Sequence, residues 1–132
     1  MNDLNLLAIG VAAVVVFVVS TGYYIAFSKQ MAQLNPVYAD SANTSPAPWK
    51  IAVELARSLV VALVVAKLAQ LLDLTDAAGA IRLAASLWVG FPVVLWTGAV
   101  MWEKVPSRLA AIHAGDWLLK LLAIALIVSL WN

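Results

Sequence analysis

The stretch LNLLAIGVAAVVVFVVSTGYYIAF, residues 4–27, decides the fold, because it contains no charged side chain. About 20 mostly apolar helical residues cross the hydrocarbon core of a bilayer. Residues 49–72, 81–102 and 109–131 are three further stretches of comparable length and apolarity. The sequence therefore predicts an all-α, polytopic membrane protein, in which residues 1–132 form one domain of four transmembrane helices.

The composition supports this class. The chain has 64% hydrophobic and 11% charged residues, whereas soluble domains average about 45–50% and about 25%. The net charge is +1 and the basic residues are dispersed, so we expect no nucleic-acid partner, because phosphate binding needs clustered Lys and Arg. The absence of cysteine excludes a thiolate nucleophile and a sulfur-ligated metal.

The connections between the four helices differ in character. Residues 35–48 (NPVYADSANTSPAP) contain three prolines and many small polar residues, a composition that favours turns and extended backbone. In the second connection, residues 73–80, Thr75 or Asp76 is a plausible N-cap. The third connection, residues 103–108, is short enough to predict a tight antiparallel hairpin of the last two helices.

Basic residues near the helix ends predict the orientation. Lys29, Lys50, Lys104 and Arg108 flank the first and third connections, whereas Arg82 is the basic residue beside the second. The positive-inside rule then places the first and third connections in the cytoplasm and both termini outside. The high Ala and Val content is typical of a bacterial protein from a GC-rich genome, which indicates the cytoplasmic membrane.

Aromatic residues, a proline and small residues predict how the helices sit in the bilayer. Tyr23 and Tyr24 end the first helix and are interpreted as anchors at the headgroup level. Trp96 belongs to an aromatic stripe that we assign to packing or lipid contact, although such a stripe could also hold a ligand. Pro92 should kink the third helix, and Ser58, Ala62 and Ala66 should let helix backbones approach closely.

Ionisable residues inside the predicted helices are the sharpest functional signal. Such a group near the bilayer centre costs on the order of 3 kcal/mol by insertion scales, so it needs partners or water. Arg57 and Asp116 come out level when depth is counted from the outer helix ends at about 1.5 Å per residue, and we expect them to pair. Glu54 and Arg57 are three residues apart and Asp116 and Lys120 are four apart, spacings that also favour an ion pair within each helix. The predicted polar cluster comprises Glu54, Arg57, His113, Asp116 and Lys120.

Two functions fit this cluster, and the first is favoured. It is an intramembrane ion-pair network that fixes helix register in a small accessory or structural subunit. The alternative is a polar site open to the cytoplasm that binds an ion, a proton or an anionic headgroup, as in a small oligomeric channel or transporter. A lipid-modifying enzyme is less favoured, since no catalytic residue pattern is present.

The same reasoning sets the expected partners. The spacing of His113 and Asp116 suits two metal ligands on a helix, but a third ligand is absent from the pattern, so we predict no metal and no cofactor. The bilayer is the expected environment. We also expect a homo-oligomer or a larger membrane complex, because charged helices are hard to shield in so small a bundle.

Several short motifs together resemble a small bacterial membrane family, the domain of unknown function 1761. They are residues 22–29 (GYYIAFSK), 87–91 (LWVGF), the Glu103-x-x-Pro106 connection and residues 113–117 (HAGDW). The chain departs from the family pattern at Tyr23-Tyr24, where the family usually has a Trp-Tyr pair. The resemblance implies a four-helix membrane protein without an established activity, and it adds Glu103 to Asp116 as a residue of interest.

Overall fold

A computed structural model describes residues 4–37 and 47–131, which contain helices and no strand. The all-α prediction is confirmed. In chain order the helices are α1 (Leu6–Ala26), α2 (Ser28–Leu34), α3 (Pro48–Leu71), α4 (Ala77–Gly90), α5 (Pro92–Trp102) and α6 (Ser107–Leu130).

Three segments are long and apolar enough to cross a membrane. They are Leu6–Ala26, Ala77–Trp102 and Ser107–Leu130, which correspond to the first, third and fourth predicted spans. Helix α3, which corresponds to the second predicted span, has 24 residues and is therefore long enough, but it is not among these three segments. It carries four charged side chains, namely Lys50, Glu54, Arg57 and Lys67.

Capping side chains begin two of the helices. The Asn5 side-chain oxygen accepts a hydrogen bond of 3.1 Å from the Ala8 amide at the start of α1. Asp76, one of the two predicted caps, accepts a bond of 2.8 Å from the Gly79 amide at the start of α4. Each cap satisfies an amide that has no partner within its helix, which fixes where the apolar segment begins.

The predicted third span is divided into two helices. Phe91 separates α4 from α5 with φ −123° and ψ −74°, and Pro92 is the first residue of α5. A proline has no amide proton to donate, and its ring disfavours helical geometry at the preceding residue. The effect predicted for Pro92 is therefore found as an interruption of the helix at Phe91.

The connections are only partly as predicted. The third is the expected short turn, in which Lys104 has a positive φ of 57°, and α5 packs against α6. At the start of the first connection Asn35 is extended, but Pro36 and Val37 have helical backbone where turns were expected. Residues 38–46 of that connection lie outside the described residues.

Helix α6 is at the centre of the bundle. It packs against α1, α3, α4 and α5, and α1 also packs against α3. The core between these helices consists of small and branched apolar side chains, which allow backbones to approach closely in lipid. Its buried members are Ile9, Ala12, Ala13, Val16, Ala62, Val65, Ala66, Ala69, Ala80, Ala84, Leu121, Ile124, Ala125 and Val128.

Helix α3 contacts the bundle along only part of its length. Its buried residues begin at Ser58 and continue to Ala69, and they include the predicted small-residue line. In its first turns the side chains are exposed, with Trp49 at 65% and Val53 at 46%. The beginning of α3 therefore diverges from α1 and α6 and leaves space at this end of the bundle.

Candidate functional site

The space beside α3 is a cavity of about 710 Å³ between α1, α3, α5 and α6, which we call the Asp116 cavity. It lies at the end of the bundle where α1 and α5 end and where α3 and α6 begin. All five members of the predicted polar cluster line it. Its polar lining consists of Ser20, Thr21, Tyr24, Ser28, Glu54, Arg57, Ser58, His113, Asp116 and Lys120.

Asp116 is the buried anchor of the polar lining, with only 1% of its surface exposed. Its Oδ1 accepts a hydrogen bond of 2.6 Å from the Ser20 hydroxyl. Its Oδ2 accepts one of 3.3 Å from the Tyr24 hydroxyl and lies 2.9 Å from Lys120 Nζ. A buried carboxylate needs such partners to offset its desolvation, and here α1 and α6 supply them together.

His113 lies beside this carboxylate and contacts two aromatic rings. Its Nδ1 is 2.8 Å from the Tyr24 hydroxyl, and its ring stacks on Trp96 with centroids 4.6 Å apart and planes 10° apart. The phenol of Tyr24 has one proton and cannot donate to His113 and Asp116 at once. Tyr24 therefore couples the hydrogen bonding of the imidazole to that of the carboxylate.

Arg57 and Glu54 form a second ion pair at the opening of the cavity. The Arg57 guanidinium contacts the Glu54 carboxylate, and their side chains are 60% and 47% exposed. The predicted pairing of Arg57 with Asp116 is wrong, because each residue has its counter-ion on its own helix instead. Local pairs of this kind form without bringing α3 and α6 together, and α3 diverges at this level.

The sequence of residues 7–129 matches the profile of a protein family of unknown function, DUF1761. The chain belongs to this family. The predicted resemblance is confirmed over nearly the whole chain. No curated protein and no solved structure matches it, so the function of this DUF1761 protein has to be argued from its own cavity.

Helices α1 and α5 contribute side chains to the site that the sequence did not predict. Tyr23 and Tyr24, predicted as headgroup anchors, form hydrogen bonds to α6, and the Tyr23 hydroxyl donates to the Ile112 carbonyl over 2.7 Å. Ser20 and Tyr24 are four residues apart and thus share a helix face, which was the available signal. Trp96 packs within the protein, which is one of the roles predicted for the aromatic stripe, and its ring stacks on that of His113.

Glu103 lies apart from the cavity. It is exposed and follows the last residue of α5, where its amide donates to the Ala99 carbonyl over 3.0 Å. It does not line the cavity that contains the other candidate residues. The resemblance to DUF1761 drew attention to Glu103, but the position of this residue explains no role for it.

The geometry of the described side chains does not suit a metal ion. Within residues 4–37 and 47–131, no three His, Asp or Glu side chains are grouped closely enough to hold a metal ion. The polar groups of the cavity are instead arranged as hydrogen-bonding pairs. Their chemistry is that of binding through charge and hydrogen bonds.

Proposed function

We propose that this protein is a bacterial membrane protein with four transmembrane helices and that its Asp116 cavity binds the anionic group of a small solute or a lipid. The observation that carries the proposal is the position of the ion pairs. Asp116–Lys120 and Glu54–Arg57 border a cavity of about 710 Å³. A network that served only to fix helix register would be enclosed by packed side chains.

The charges of α3 are compatible with its crossing the bilayer. Glu54 and Arg57 pair with each other and line the cavity, and polar groups within membranes generally face water-filled spaces. The middle of the helix exposes Val60 and Val64 to its surroundings. Lys67 is near the end of α3, where its long side chain can reach the interface. These features support α3 as the second of four transmembrane helices.

The spare hydrogen-bonding capacity of the cavity favours an anion. Both Asp116 oxygens are occupied by groups of the protein. A lysine ammonium has three N–H donors and an arginine guanidinium has five, which is more than the contacts with Asp116 and Glu54 require. Lys120 and Arg57 project into the cavity from α6 and α3, so an anion between them would receive charge-assisted hydrogen bonds.

The cavity should face the cytoplasm. The basic residues in or near the connections at its end of the bundle are Lys29, Lys50, Lys104 and Arg108, and the positive-inside rule favours the cytoplasm for that side. A single chain already buries Asp116 to 1% exposure. The charges that a homo-oligomer would shield are therefore those of Arg57 and Glu54, whose side chains are 60% and 47% exposed in the single chain.

The structural network is the second candidate, and it is favoured because both oxygens of Asp116 have partners within the protein. In that case Asp116 and Lys120 would fasten α1 to α6 in an accessory subunit. The cavity would then have no preference among solutes. The two candidates differ in what anions do to the folded protein, because a ligand that binds only the native state raises its stability.

The test measures thermal unfolding of the purified protein with two soluble anions, inorganic phosphate and succinate, and in nanodiscs of phosphatidylglycerol or phosphatidylcholine. A solute site is stabilised by a soluble anion in either lipid. A lipid site is stabilised by phosphatidylglycerol and not by soluble anions. Arg57→Gln should weaken either effect about tenfold, the equivalent of one charge-assisted hydrogen bond.

Lys67→Gln is the matched control, since Lys67 is an exposed cation on the same helix that does not line the cavity. It should leave the affinity unchanged. Equal losses in Arg57→Gln and Lys67→Gln would mean that surface charge alone attracts the anion. If neither the soluble anions nor phosphatidylglycerol stabilise the protein, the structural network is the function of the cluster.

A further inference from the structure

A second cavity lies at the opposite end of the same three helices. It has a volume of about 470 Å³. Its lining includes Ile9 of α1 with the preceding Asn5, Gln70 of α3, Val128 of α6, and Asp73 in the connection after α3. We call it the Asp73 cavity. Both cavities are lined by α1, α3 and α6, so they open into one helix interface from its two ends.

The two cavities are separated by the same distance on every helix. On each of α1, α3 and α6, the nearest lining residues of the two cavities are little more than two turns apart, which corresponds to about 12 Å along the axis. The agreement among three helices shows that the cavities are aligned along the interface. The pairs of nearest lining residues are Ile9 and Phe17, Ala66 and Ser58, and Val128 and Lys120.

The material between the cavities is apolar and closed. Its residues are at most 5% exposed, and alanines occur among them on all three helices. Small side chains let these helices pack closely, and closely packed helices can undergo small sliding movements against each other. We call this layer the septum, and it consists of Ala12, Ala13, Val16, Ala62, Val65, Leu121, Ile124 and Ala125.

We propose that the interface of α1, α3 and α6 is a translocation path and that the septum is its closed gate. The identity of the passenger, the anion of the Asp116 cavity, rests on the proposed function, whereas the path itself rests on the aligned cavities. The structure is then the state open to the Asp116 side. Transport requires a second state in which the septum parts and the opposite end opens.

Helix α3 is the element that can make this change. It is buried against the bundle only from Ser58 to Ala69, so the beginning of the helix is not held by packing. Tilting of α3 about the septum would close the Asp116 cavity and widen the Asp73 cavity, as in a rocking movement of packed helices. It would also bring the Glu54–Arg57 pair towards Lys120, which removes the space that the anion occupies.

The charges of the two cavities favour release at the far end. Among the described residues that line the Asp73 cavity there is a carboxylate, Asp73, and no Lys or Arg. In the Asp116 cavity the cations Arg57 and Lys120 balance the carboxylates of Glu54 and Asp116. The described lining of the other cavity has Asp73 without a Lys or Arg, so an anion is disfavoured more strongly at that end. The path would therefore hold its passenger at the Asp116 cavity and let it leave readily from the Asp73 cavity.

The chain has no cysteine, so single-cysteine variants give an unambiguous test of the path. Thr21→Cys reports on the Asp116 cavity, Ala69→Cys on the Asp73 cavity and Val65→Cys on the septum. Val64→Cys is the matched control, because Val64 is 52% exposed beside a Val65 that is 2% exposed and lines neither cavity. Each variant is treated with a membrane-impermeant thiol reagent in right-side-out and in inside-out vesicles.

We expect Thr21→Cys and Ala69→Cys to react from opposite faces of the membrane. Val65→Cys should react at least about tenfold faster than Val64→Cys, because the septum opens to water and the lipid-facing position does not. In vesicles loaded with phosphate or succinate, efflux through Val65→Cys should fall to the level of protein-free vesicles after modification. Efflux through Val64→Cys should be unchanged by the reagent.

The outcomes separate this proposal from the proposed function. Anion binding together with a Val65→Cys that is as unreactive as Val64→Cys would overturn the path and leave a binding site. Reaction of Thr21→Cys and Ala69→Cys from one face would overturn it as well. A reactive Val65→Cys in a protein that binds no anion would support the path and overturn the anion as its passenger.

Discussion

Ser20 on α1 and Asp116 on α6 are joined by a hydrogen bond of 2.6 Å from the serine hydroxyl to Oδ1 of the carboxylate. The other oxygen of Asp116 is paired with Lys120 at 2.9 Å, one turn along the same helix. One carboxylate thus links two helices that are far apart in sequence and also compensates a charge on its own helix. The stability of the bundle should depend on both links.

Replacement of Asp116 by Asn should destabilise the folded protein by about 1–3 kcal/mol, the usual penalty when a charged group loses a buried partner. The Lys120 side chain is only 14% exposed, so its ammonium would be left in a poorly solvated position. Lys120→Met removes that charge and should recover part of the loss in the double variant. Chemical unfolding in detergent measures the resulting cycle, for which we expect a coupling of about 0.5–3 kcal/mol.

The control for this cycle replaces Lys120→Met by Arg57→Gln. Arg57 contacts Glu54 on its own helix, so its effect on stability should add to that of Asp116→Asn. If Arg57 is coupled to Asp116 as strongly as Lys120 is, an ion pair joins α3 to α6, in contradiction to the pairs seen in the structure. Full additivity in both cycles would show that Asp116 acts through its hydroxyl partners alone.

Gly115→Ala should be destabilising, because the side chain of Tyr23 on α1 lies directly against this glycine. A Cβ at residue 115 would overlap the hydroxyl oxygen of Tyr23, with Tyr23 Cζ at 3.4 Å. Overpacking of this kind typically costs about 1–3 kcal/mol. The combination with Tyr23→Phe removes the overlapping atom and should recover part of the loss, even though the bond to the Ile112 carbonyl is gone.

Gly10→Ala is the comparison for that substitution. Nothing lies within 4 Å of a Cβ built at residue 10, and alanine favours helix over glycine by roughly 1 kcal/mol. Thermal unfolding should therefore show Gly10→Ala to be neutral or stabilising. Equal destabilisation at both positions would mean that helix flexibility, rather than the contact with Tyr23, explains the effect at Gly115.

Much of the fold follows from the sequence because the bilayer imposes one length on every helix that crosses it. The predicted first span, residues 4–27, agrees closely with the observed Leu6–Ala26. Pro92 predicts a disturbance of the third span, and the helix is interrupted at Phe91. Hydropathy alone does not predict how a helix continues after such an interruption. The divergence of α3 was not predictable, since apolar side chains such as Val53 are equally suited to lipid and to protein contact.

The candidate site was predictable in its depth and not in its partners. Counting residues from the helix ends places Arg57 and Asp116 at one level, and both line the same cavity. The count does not report the direction in which a helix presents a side chain across the bundle. Hydroxyl groups carry a further ambiguity, because they can bond to their own helix, as Thr21 does with the Phe17 carbonyl at 2.7 Å.

Pro92→Ala should change the exposure of His113 without unfolding the protein. Alanine permits the helix to continue through Phe91, which would displace Trp96 from the imidazole that it stacks upon at 4.6 Å. His113 is the single histidine of the chain, so its carbethoxylation by diethyl pyrocarbonate can be followed without interference. We expect the reaction to be several-fold faster in this variant.

Pro48→Ala is the control for the break. Pro48 is the first residue of α3, a position at which proline fits a regular helix. Its replacement should leave the modification rate of His113 unchanged. Equal rates in the parent protein and in Pro92→Ala would show that Trp96 keeps its place through packing against α6 and does not depend on the break.

The number of membrane crossings can be decided by comparing two positions before and after α3. If α1 and α3 both cross, Leu4→Cys and Thr75→Cys should react with an impermeant thiol reagent from the same, external face. If α3 lies outside the bilayer, they should react from opposite faces. Lys104→Cys should react from the cytoplasmic face and Trp131→Cys from outside, since α6 is long and apolar enough to cross. We expect the first pattern, because the charges Glu54 and Arg57 of α3 line a cavity and avoid the cost of facing lipid.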